Sequence, residues 1–283
     1  MKNTSRLRWS SRLLTVLVAL VLVPQGAGAA LAAEPPPPPT YYLALGDSLA
    51  RGVQPDGGGV NRPTEQGYAD QLHARLSATS PRLSLVKLGC PVLETARRMI
   101  DGGYCSYEAG SQLAQAERFL QTRGQHTALV TLDIGANDFL ACQQVPVETR
   151  QACLRAVFAA VAEVAHRLRA AAGPQTRVVA MTYYNPLLAH WFLSPAAAQA
   201  AASAAHASNA ALAATYTAAG LDVADVEGAF HSADFTSVDG LPRNVRTVCA
   251  LTYMCTPFRN IHANAGGYGL IADTFASTLS RRP

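Results

Sequence analysis

Short apolar runs alternate with longer segments of mixed polarity along most of the chain. Five runs rich in aliphatic residues, three of which stop directly before a glycine, predict buried strands at 41–45, 83–88, 128–134, 178–182 and 221–226. In the segments between and after them, apolar residues recur every three or four positions. That spacing predicts helices at 68–78, 112–121, 148–172, 195–219 and 266–280.

Strands that alternate with helices form βαβ units and pair in parallel. Five strands in this order predict an α/β fold, a flavodoxin-like three-layer α/β/α sandwich with a five-stranded parallel sheet. Ligands of such sheets bind beyond the carboxyl ends of the strands. The residues that directly follow each strand are therefore the candidates for chemistry.

The N-terminal region has a different composition from the rest of the chain. Four basic residues precede an apolar run at 13–23, and small residues at 30–32 fit a cleavage site, so residues 1–33 are predicted to be a secretory signal peptide. The apolar run is shorter than the roughly twenty residues that a spanning helix needs, so we expect no stable membrane anchor. Consecutive prolines make 34–40 a stiff linker. Residues 41–283 form the single predicted folded domain, exported to the extracellular space.

Removing the signal peptide also removes the excess of positive charge. The formal charge of +4 comes from 23 basic and 19 acidic residues, and four of the basic ones precede position 33, which leaves 19 of each. A domain without a net basic charge gives no support for nucleic-acid binding.

Six cysteines follow the signal peptide, and an even number in an exported chain indicates disulfides. Sequence alone allows about fifteen pairings. Because the cysteines fall into three pairs that are close in sequence, we predict Cys90–Cys105, Cys142–Cys153 and Cys249–Cys255. No cluster has the spacing of a metal site, so no metal is expected.

Four candidate residues stand beside the ends of predicted strands or before the last helix. Ser48 follows the first strand in Gly-Asp-Ser-Leu, Gly89 the second, and Asn137 the third in Gly-Ala-Asn-Asp, while His262 precedes the last helix. Each alone is ordinary turn or capping chemistry. Together, they put a hydroxyl, an amide and an imidazole at one edge of the sheet.

These four residues and their flanking sequences resemble the blocks of the SGNH (GDSL-type) hydrolases, in particular secreted actinobacterial esterases and lipases. The similar segments include 41–48, 87–91, 133–138 and 181–186. The resemblance implies hydrolysis of carboxylic (acyl) esters, with Ser48 as nucleophile and His262 as its base. It also implies an oxyanion hole made of the Ser48 and Gly89 N–H groups and the Asn137 amide.

From this resemblance we expect a cofactor-free monomer acting on a small-molecule or lipid ester. Two alternatives stay open: a carbohydrate O-deacetylase that uses the same site, and a non-catalytic lipid- or glycan-binding relative. The residues Trp191, Phe192 and Leu193 could form an apolar lip of the cleft or pack in the core. The acyl length, the alcohol, and hydrolysis versus acyl transfer are not fixed by the sequence.

One position departs from the family pattern. The third catalytic residue is usually an aspartate three residues before the histidine, but Arg259 stands there and Asn260 follows it. We therefore predict a Ser48–His262 dyad whose imidazole is oriented by a main-chain carbonyl in the 255–260 loop. A remote carboxylate, Asp239 or Asp225, is the alternative.

Overall fold

Five parallel strands form the central sheet of the protein, whose computed structural model describes residues 40–281. The strands are β1 (Thr40–Gly46), β2 (Leu83–Lys87), β3 (Thr127–Asp133), β4 (Arg177–Met181) and β5 (Asp222–Ala224). Their order across the sheet is β2-β1-β3-β4-β5 and every pairing is parallel. This is the predicted flavodoxin-like arrangement, and the fold prediction is confirmed.

Helices cover both faces of the sheet. They are α1 (Tyr68–Ser77), α2 (Ala96–Asp101), α3 (Gln112–Arg123), α4 (Ala136–Gln143), α5 (Val147–Ala172), α6 (Pro195–Ala218), α7 (Val226–Ala229), α8 (Arg243–Leu251) and α9 (Ala265–Ser280). Short 3₁₀ helices occupy Gly124–His126 and Pro186–Phe192. Helix α1 packs with α9, and α5 packs with α2, α3 and α6, which gives the three layers.

The central strands are apolar because both of their faces are covered. Leu43, Leu45, Leu132 and Val179 are completely buried, as expected for a parallel sheet between two helical layers. Three two-residue ladders lie outside the sheet, and two of them hold the loops around the site. They pair Gln54–Pro55 with Asn61–Arg62 and Thr252–Tyr253 with the strand Asn260–Ala263.

The long predicted elements are all present, with ends shifted by at most two residues. Thr40 belongs to β1 rather than to the linker. Helices α2, α4, α7 and α8 were not predicted. The predicted signal peptide and the rest of the predicted linker lie outside the described residues.

Three disulfides join the cysteines in the pairs that their spacing predicts. Cys142–Cys153 links α4 to α5, and Cys249–Cys255 links α8 to the loop before Asn260–Ala263. Cys90–Cys105 ties the segment after β2 to the segment after α2.

No helix within residues 40–281 combines the length and the apolar character needed to cross a membrane.

Candidate active site

Ser48 lies in a tight turn directly after β1. The Asp47 carboxylate accepts a hydrogen bond from the Leu49 N–H (2.9 Å), which closes the turn around the serine. Gly46, at the end of the strand, has φ +140°, and a Cβ there would lie 2.2 Å from the carbonyl oxygen of Asp133. Only glycine fits this close approach, so Gly46 lets the chain bend and present Ser48 at the carboxyl edge of the sheet.

The imidazole of His262 reaches Ser48 from the other end of the fold. The residue lies on the strand Asn260–Ala263, just before α9, and is 6% exposed. Its Nε2 is 2.9 Å from Ser48 Oγ. The serine hydroxyl and a histidine nitrogen are thus within hydrogen-bonding distance, the relation that a nucleophile and its general base require.

The orienting partner of His262 is the side chain of Asn260, and the prediction of a main-chain carbonyl was wrong. Asn260 Oδ1 accepts from the His262 backbone N–H (3.0 Å) and lies 2.7 Å from Nδ1 of the same residue. A backbone N–H can only donate, so the atom facing it is the amide oxygen. The same oxygen therefore accepts from Nδ1–H, which leaves Nε2 unprotonated and able to accept the serine proton.

Asn260 is itself held from the other side. Its Nδ2 donates to Oδ1 of Asn61 (2.7 Å), which lies on one of the short ladders. The loop geometry explains why the side chain turns back onto the histidine, because Arg259 has φ +46° and its N–H donates to the Thr256 carbonyl oxygen (3.0 Å). The sequence analysis noted Asn260 only because it is not a carboxylate. It overlooked that the amide oxygen of an asparagine is also a hydrogen-bond acceptor.

The two remote carboxylates are engaged elsewhere. Asp225 caps α7 by accepting from the Gly228 N–H (2.9 Å), and Asp239 forms an ion pair with Arg246 (3.1 Å). Neither has a contact with His262, so the alternative of a remote carboxylate partner was wrong.

Burial controls the protonation of the histidine. Removal from water disfavours the imidazolium ion and lowers the pKa of His262 to about 4. The imidazole is therefore neutral, and its Nε2 is free to accept a proton, throughout the neutral range.

Candidate donors for a negatively charged oxygen surround the serine. Within residues 40–281, the backbone N–H groups of Ser48 and Gly89 have no hydrogen-bond acceptor. Gly89 packs against the serine turn, since a Cβ there would lie 2.6 Å from Cβ of Ala50 and 3.2 Å from the Asp47 carbonyl oxygen. Asn137 lines the same two cavities as Ser48, while one of its Nδ2 hydrogens goes to the Glu94 carbonyl oxygen (2.9 Å).

Several buried carboxyl groups lie behind the site, and the sequence analysis did not single out Asp133 or Glu94. Asp133 accepts from the Tyr68 hydroxyl (2.5 Å) and from the Asp47 N–H (3.2 Å), and burial next to Asp47 raises its pKa well above the usual range. Burial also raises the pKa of Glu94 to about 7 and that of Asp138 to about 6. The Asp138 carboxylate accepts from the first N–H of α2, and the main-chain carbonyl of Glu94, rather than its carboxyl group, accepts from Asn137 Nδ2.

Two cavities meet at Ser48 and His262. The helix-side cavity has a volume of about 120 Å³ and is lined by α4, α6 and the 3₁₀ helix Pro186–Phe192. It adjoins a larger cavity of about 610 Å³. The loop-side cavity, of about 710 Å³, is lined by loops that carry the exposed side chains of Leu93 and Tyr104.

The apolar residues 191–193 form neither the cavity wall nor the core. Phe192 and Leu193 are 58% and 85% exposed, and Trp191 packs against Phe235 with ring centroids 5.9 Å apart. Leu187, earlier in the same 3₁₀ helix, lines the helix-side cavity instead.

Within the described part of the chain, no group of three or more acidic, histidine or cysteine side chains is arranged to hold a metal ion.

Comparison with solved structures shows which fold the chain shares. An α/β hydrolase from the metagenome of Lake Arreo is 20% identical, with a TM-score of 0.51, and covers 84% of this chain and 94% of its own. The extracellular lipase of Streptomyces rimosus is 19% identical, with a TM-score of 0.53, and the match covers 84% of this chain and 99% of the lipase. The acetylxylan esterase Axe2 of Geobacillus stearothermophilus is 14% identical, with a TM-score of 0.54, and the match covers 86% of this chain and 95% of Axe2.

No curated protein has significant sequence similarity to the chain. The family model of the GDSL-like lipases and acylhydrolases, however, matches residues 44–270, which contain Ser48, the oxyanion candidates and His262. The chain therefore belongs to the GDSL-like lipase/acylhydrolase family.

Proposed function

We propose that the protein is a secreted serine esterase or lipase that hydrolyses carboxylic esters through an acyl-enzyme on Ser48. The observation that carries the proposal is the chain of two hydrogen bonds from Ser48 Oγ to His262 Nε2 (2.9 Å) and from His262 Nδ1 to Asn260 Oδ1 (2.7 Å). Family membership supports the acyl-hydrolase class, and the three disulfides support an extracellular location.

The first half of the reaction forms the acyl-enzyme. Ser48 Oγ attacks the ester carbonyl carbon while its proton moves to His262 Nε2. The carbonyl oxygen becomes an oxyanion that the Ser48 and Gly89 N–H groups and the Asn137 amide stabilise. When the tetrahedral intermediate collapses, the imidazolium returns its proton to the departing alcohol oxygen, and the acyl group stays on Ser48.

The second half repeats the same steps with water. His262 takes a proton from a water molecule, whose oxygen attacks the acyl carbon, and then returns the proton to Ser48 Oγ as the carboxylic acid leaves. Asn260 keeps Nδ1 protonated in both halves. As a neutral amide it stabilises the imidazolium less than a carboxylate would, which agrees with the low pKa of His262.

A fluorophosphonate probe on the folded protein tests the nucleophile. We expect covalent labelling of Ser48 and hydrolysis of p-nitrophenyl esters, both lost in Ser48→Ala. The matched control is Ser203→Ala, since Ser203 lies exposed on α6 and donates only to the Gln199 carbonyl oxygen. Acetylated xylan belongs in the substrate panel because an acetylxylan esterase shares the fold. Folded protein that neither reacts with the probe nor hydrolyses any ester would reject the proposal in favour of a binding protein.

A further inference from the structure

The two cavities at Ser48 differ in how well they exclude water. Both cavities have mostly apolar surfaces, but the walls of the helix-side cavity are formed by helices and by buried residues such as Tyr183 and Tyr184. The loop-side cavity is bordered by Leu93 and Tyr104, which are 64% and 59% exposed. Because an apolar chain gains free energy in proportion to the surface it removes from water, the helix-side cavity is the better acceptor for such a chain.

The helix-side cavity exists because one face of α6 carries small side chains between Ala201 and Ser208. Ala201, Ala204, Ala205 and Ser208 line the cavity and are spaced three and four residues apart, as one face of a helix requires. Further along the same face come Leu212 and Tyr216, both completely buried. Where those larger side chains begin, the space between α6 and the sheet is filled.

The helix-side cavity continues into the adjoining one rather than ending near Ser48. The two share Phe139, Gln143, Leu187, Ala201, Ala204 and Ser208 as lining residues. The adjoining cavity adds the apolar side chains of Leu154 and Phe158 from α5. An extended chain bonded to Ser48 can thus run past Ala201 between α4 and α6.

We propose that the helix-side cavity binds the acyl chain of the substrate, that the loop-side cavity binds the alcohol, and that Ala201 controls which acyl lengths are accepted. This rests on the proposed function, because it requires an acyl-enzyme at Ser48. The substrate class is then an ester with a medium or long aliphatic acyl chain rather than an acetyl ester.

Two series of esters separate the cavities. One varies the acyl group from acetyl to dodecanoyl on p-nitrophenol, and the other varies the alcohol from ethanol to octanol on acetate. In the wild type, kcat/KM is expected to rise by roughly threefold to fourfold for each added acyl methylene that the cavity buries. Burial of only two of the six methylenes by which octanoyl exceeds acetyl should therefore raise kcat/KM by about tenfold.

The variant Ala201→Phe places a ring where the two cavities join. We expect it to lower the octanoyl-to-acetyl ratio of kcat/KM by about tenfold or more. Ala210→Phe is the control, since Ala210 is nine residues further along α6, on the opposite face, exposed, and lines neither cavity. The control should keep the wild-type ratio.

The outcomes distinguish the two proposals. An unchanged ratio in folded Ala201→Phe, or a change confined to the alcohol series, overturns the assignment of the cavities while leaving the esterase function intact. Absence of hydrolysis for every ester overturns both. If Ala201→Phe does not fold, inactivation of the wild-type enzyme by alkylphosphonate esters replaces the variant. An octylphosphonate should inactivate the enzyme faster than an ethylphosphonate. Equal rates of inactivation would count against the assignment.

Discussion

At the scale of single residues, the site shows how an amide replaces the usual carboxylate. Asn260 Oδ1 faces both N–H groups of His262, and the Asn260 Nδ2 is taken by Asn61. A flipped amide would bring its NH₂ against two donors, so the two N–H groups of His262 fix the orientation of the amide. The imidazole is held in one tautomer without a negative charge beside it.

Two substitutions of Asn260 are expected to have opposite consequences. Asn260→Ala removes the acceptor for Nδ1–H and should lower kcat by about 10²-fold or more, since a wrong tautomer at a serine hydrolase histidine costs about 10⁴. Asn260→Asp keeps an acceptor and adds a charge that raises the pKa of His262. The pH below which kcat/KM falls, because His262 becomes protonated, is expected near 4 in the wild type. In Asn260→Asp this fall should occur at higher pH.

Full pH profiles of kcat and kcat/KM for the three proteins measure both effects. Circular dichroism controls for folding. An Asn260→Ala protein with the wild-type kcat would remove Asn260 from the proposed mechanism, and an unmoved limb in Asn260→Asp would show that residue 260 does not contact the imidazole in solution.

The residues of the site could be found from sequence to different extents. Ser48, Gly89, Asn137 and His262 stand in recognisable motifs at the edge of the sheet. The sequence shows an amide acceptor two residues before His262, but the direction of the Asn260 side chain was not accessible, because it depends on the positive φ of Arg259. Glu94 was missed because nothing in the sequence around it indicates that its side chain is buried.

At the scale of elements, the loop between α8 and the strand Asn260–Ala263 positions His262, the proposed base. The Cys249–Cys255 disulfide anchors its first half to α8. Asn264 anchors the end of the strand, because its Oδ1 caps α9 at Gly267 (3.0 Å) and its Nδ2 donates to the Ala250 carbonyl oxygen (2.8 Å). The His262 ring is therefore held from both ends of the loop.

Opening the Cys249–Cys255 disulfide is expected to affect both stability and catalysis. In the chain-entropy model, a loop of this size contributes about 2 kcal/mol to the free energy of unfolding. The double variant Cys249→Ser, Cys255→Ser should lose about that much in urea unfolding, and its kcat should fall because the Asn260–His262 geometry loosens.

The matched control is Cys142→Ser, Cys153→Ser, which opens the bridge between α4 and α5 instead; kcat is compared on p-nitrophenyl acetate, because Cys142 lines the adjoining cavity that longer acyl chains would reach. It should lower stability to a similar extent. If the control variant loses as much kcat as the Cys249→Ser, Cys255→Ser variant, the fall in kcat is a general result of lower stability and is not specific to the loop before His262.

The elements themselves were predictable where they are long or fully buried. The sheet strands and helices α1, α3, α5, α6 and α9 follow from hydrophobic spacing. Helix α2, with six residues, is too short for the pattern to repeat. Helix α8 was missed although Val245 and Val248 are buried three residues apart, a signal that the surrounding polar loops obscured.

At the scale of the whole molecule, buried acids make stability depend on pH. The folded-state pKa of Glu94 is raised from 4.5 to about 7, so its contribution to stability is fully present below about pH 4.5 and is lost as the pH rises through 7. Asp138 acts in the same direction with a pKa of about 6. His262 acts oppositely, because its lowered pKa makes stability rise with pH between about 4 and 6.5.

Glu94→Gln isolates the contribution of one acid, because the effects of His262 and Asp138 are common to both proteins. Relative to the wild type, the variant should gain on the order of 2 kcal/mol in the free energy of unfolding between pH 5 and pH 8. Urea titrations at the two pH values measure this difference. A difference that does not change with pH would mean that Glu94 titrates normally in the folded protein.

The hydrogen bond between Ser48 and His262 joins residues 214 positions apart. A ribosome must therefore synthesise nearly the whole domain before both partners exist, and the chain must then close β1 onto the segment before α9. A partly synthesised or partly unfolded chain holds a serine without its base. In the proposed mechanism, completion of the fold is thereby also the step that brings the nucleophile and its base together.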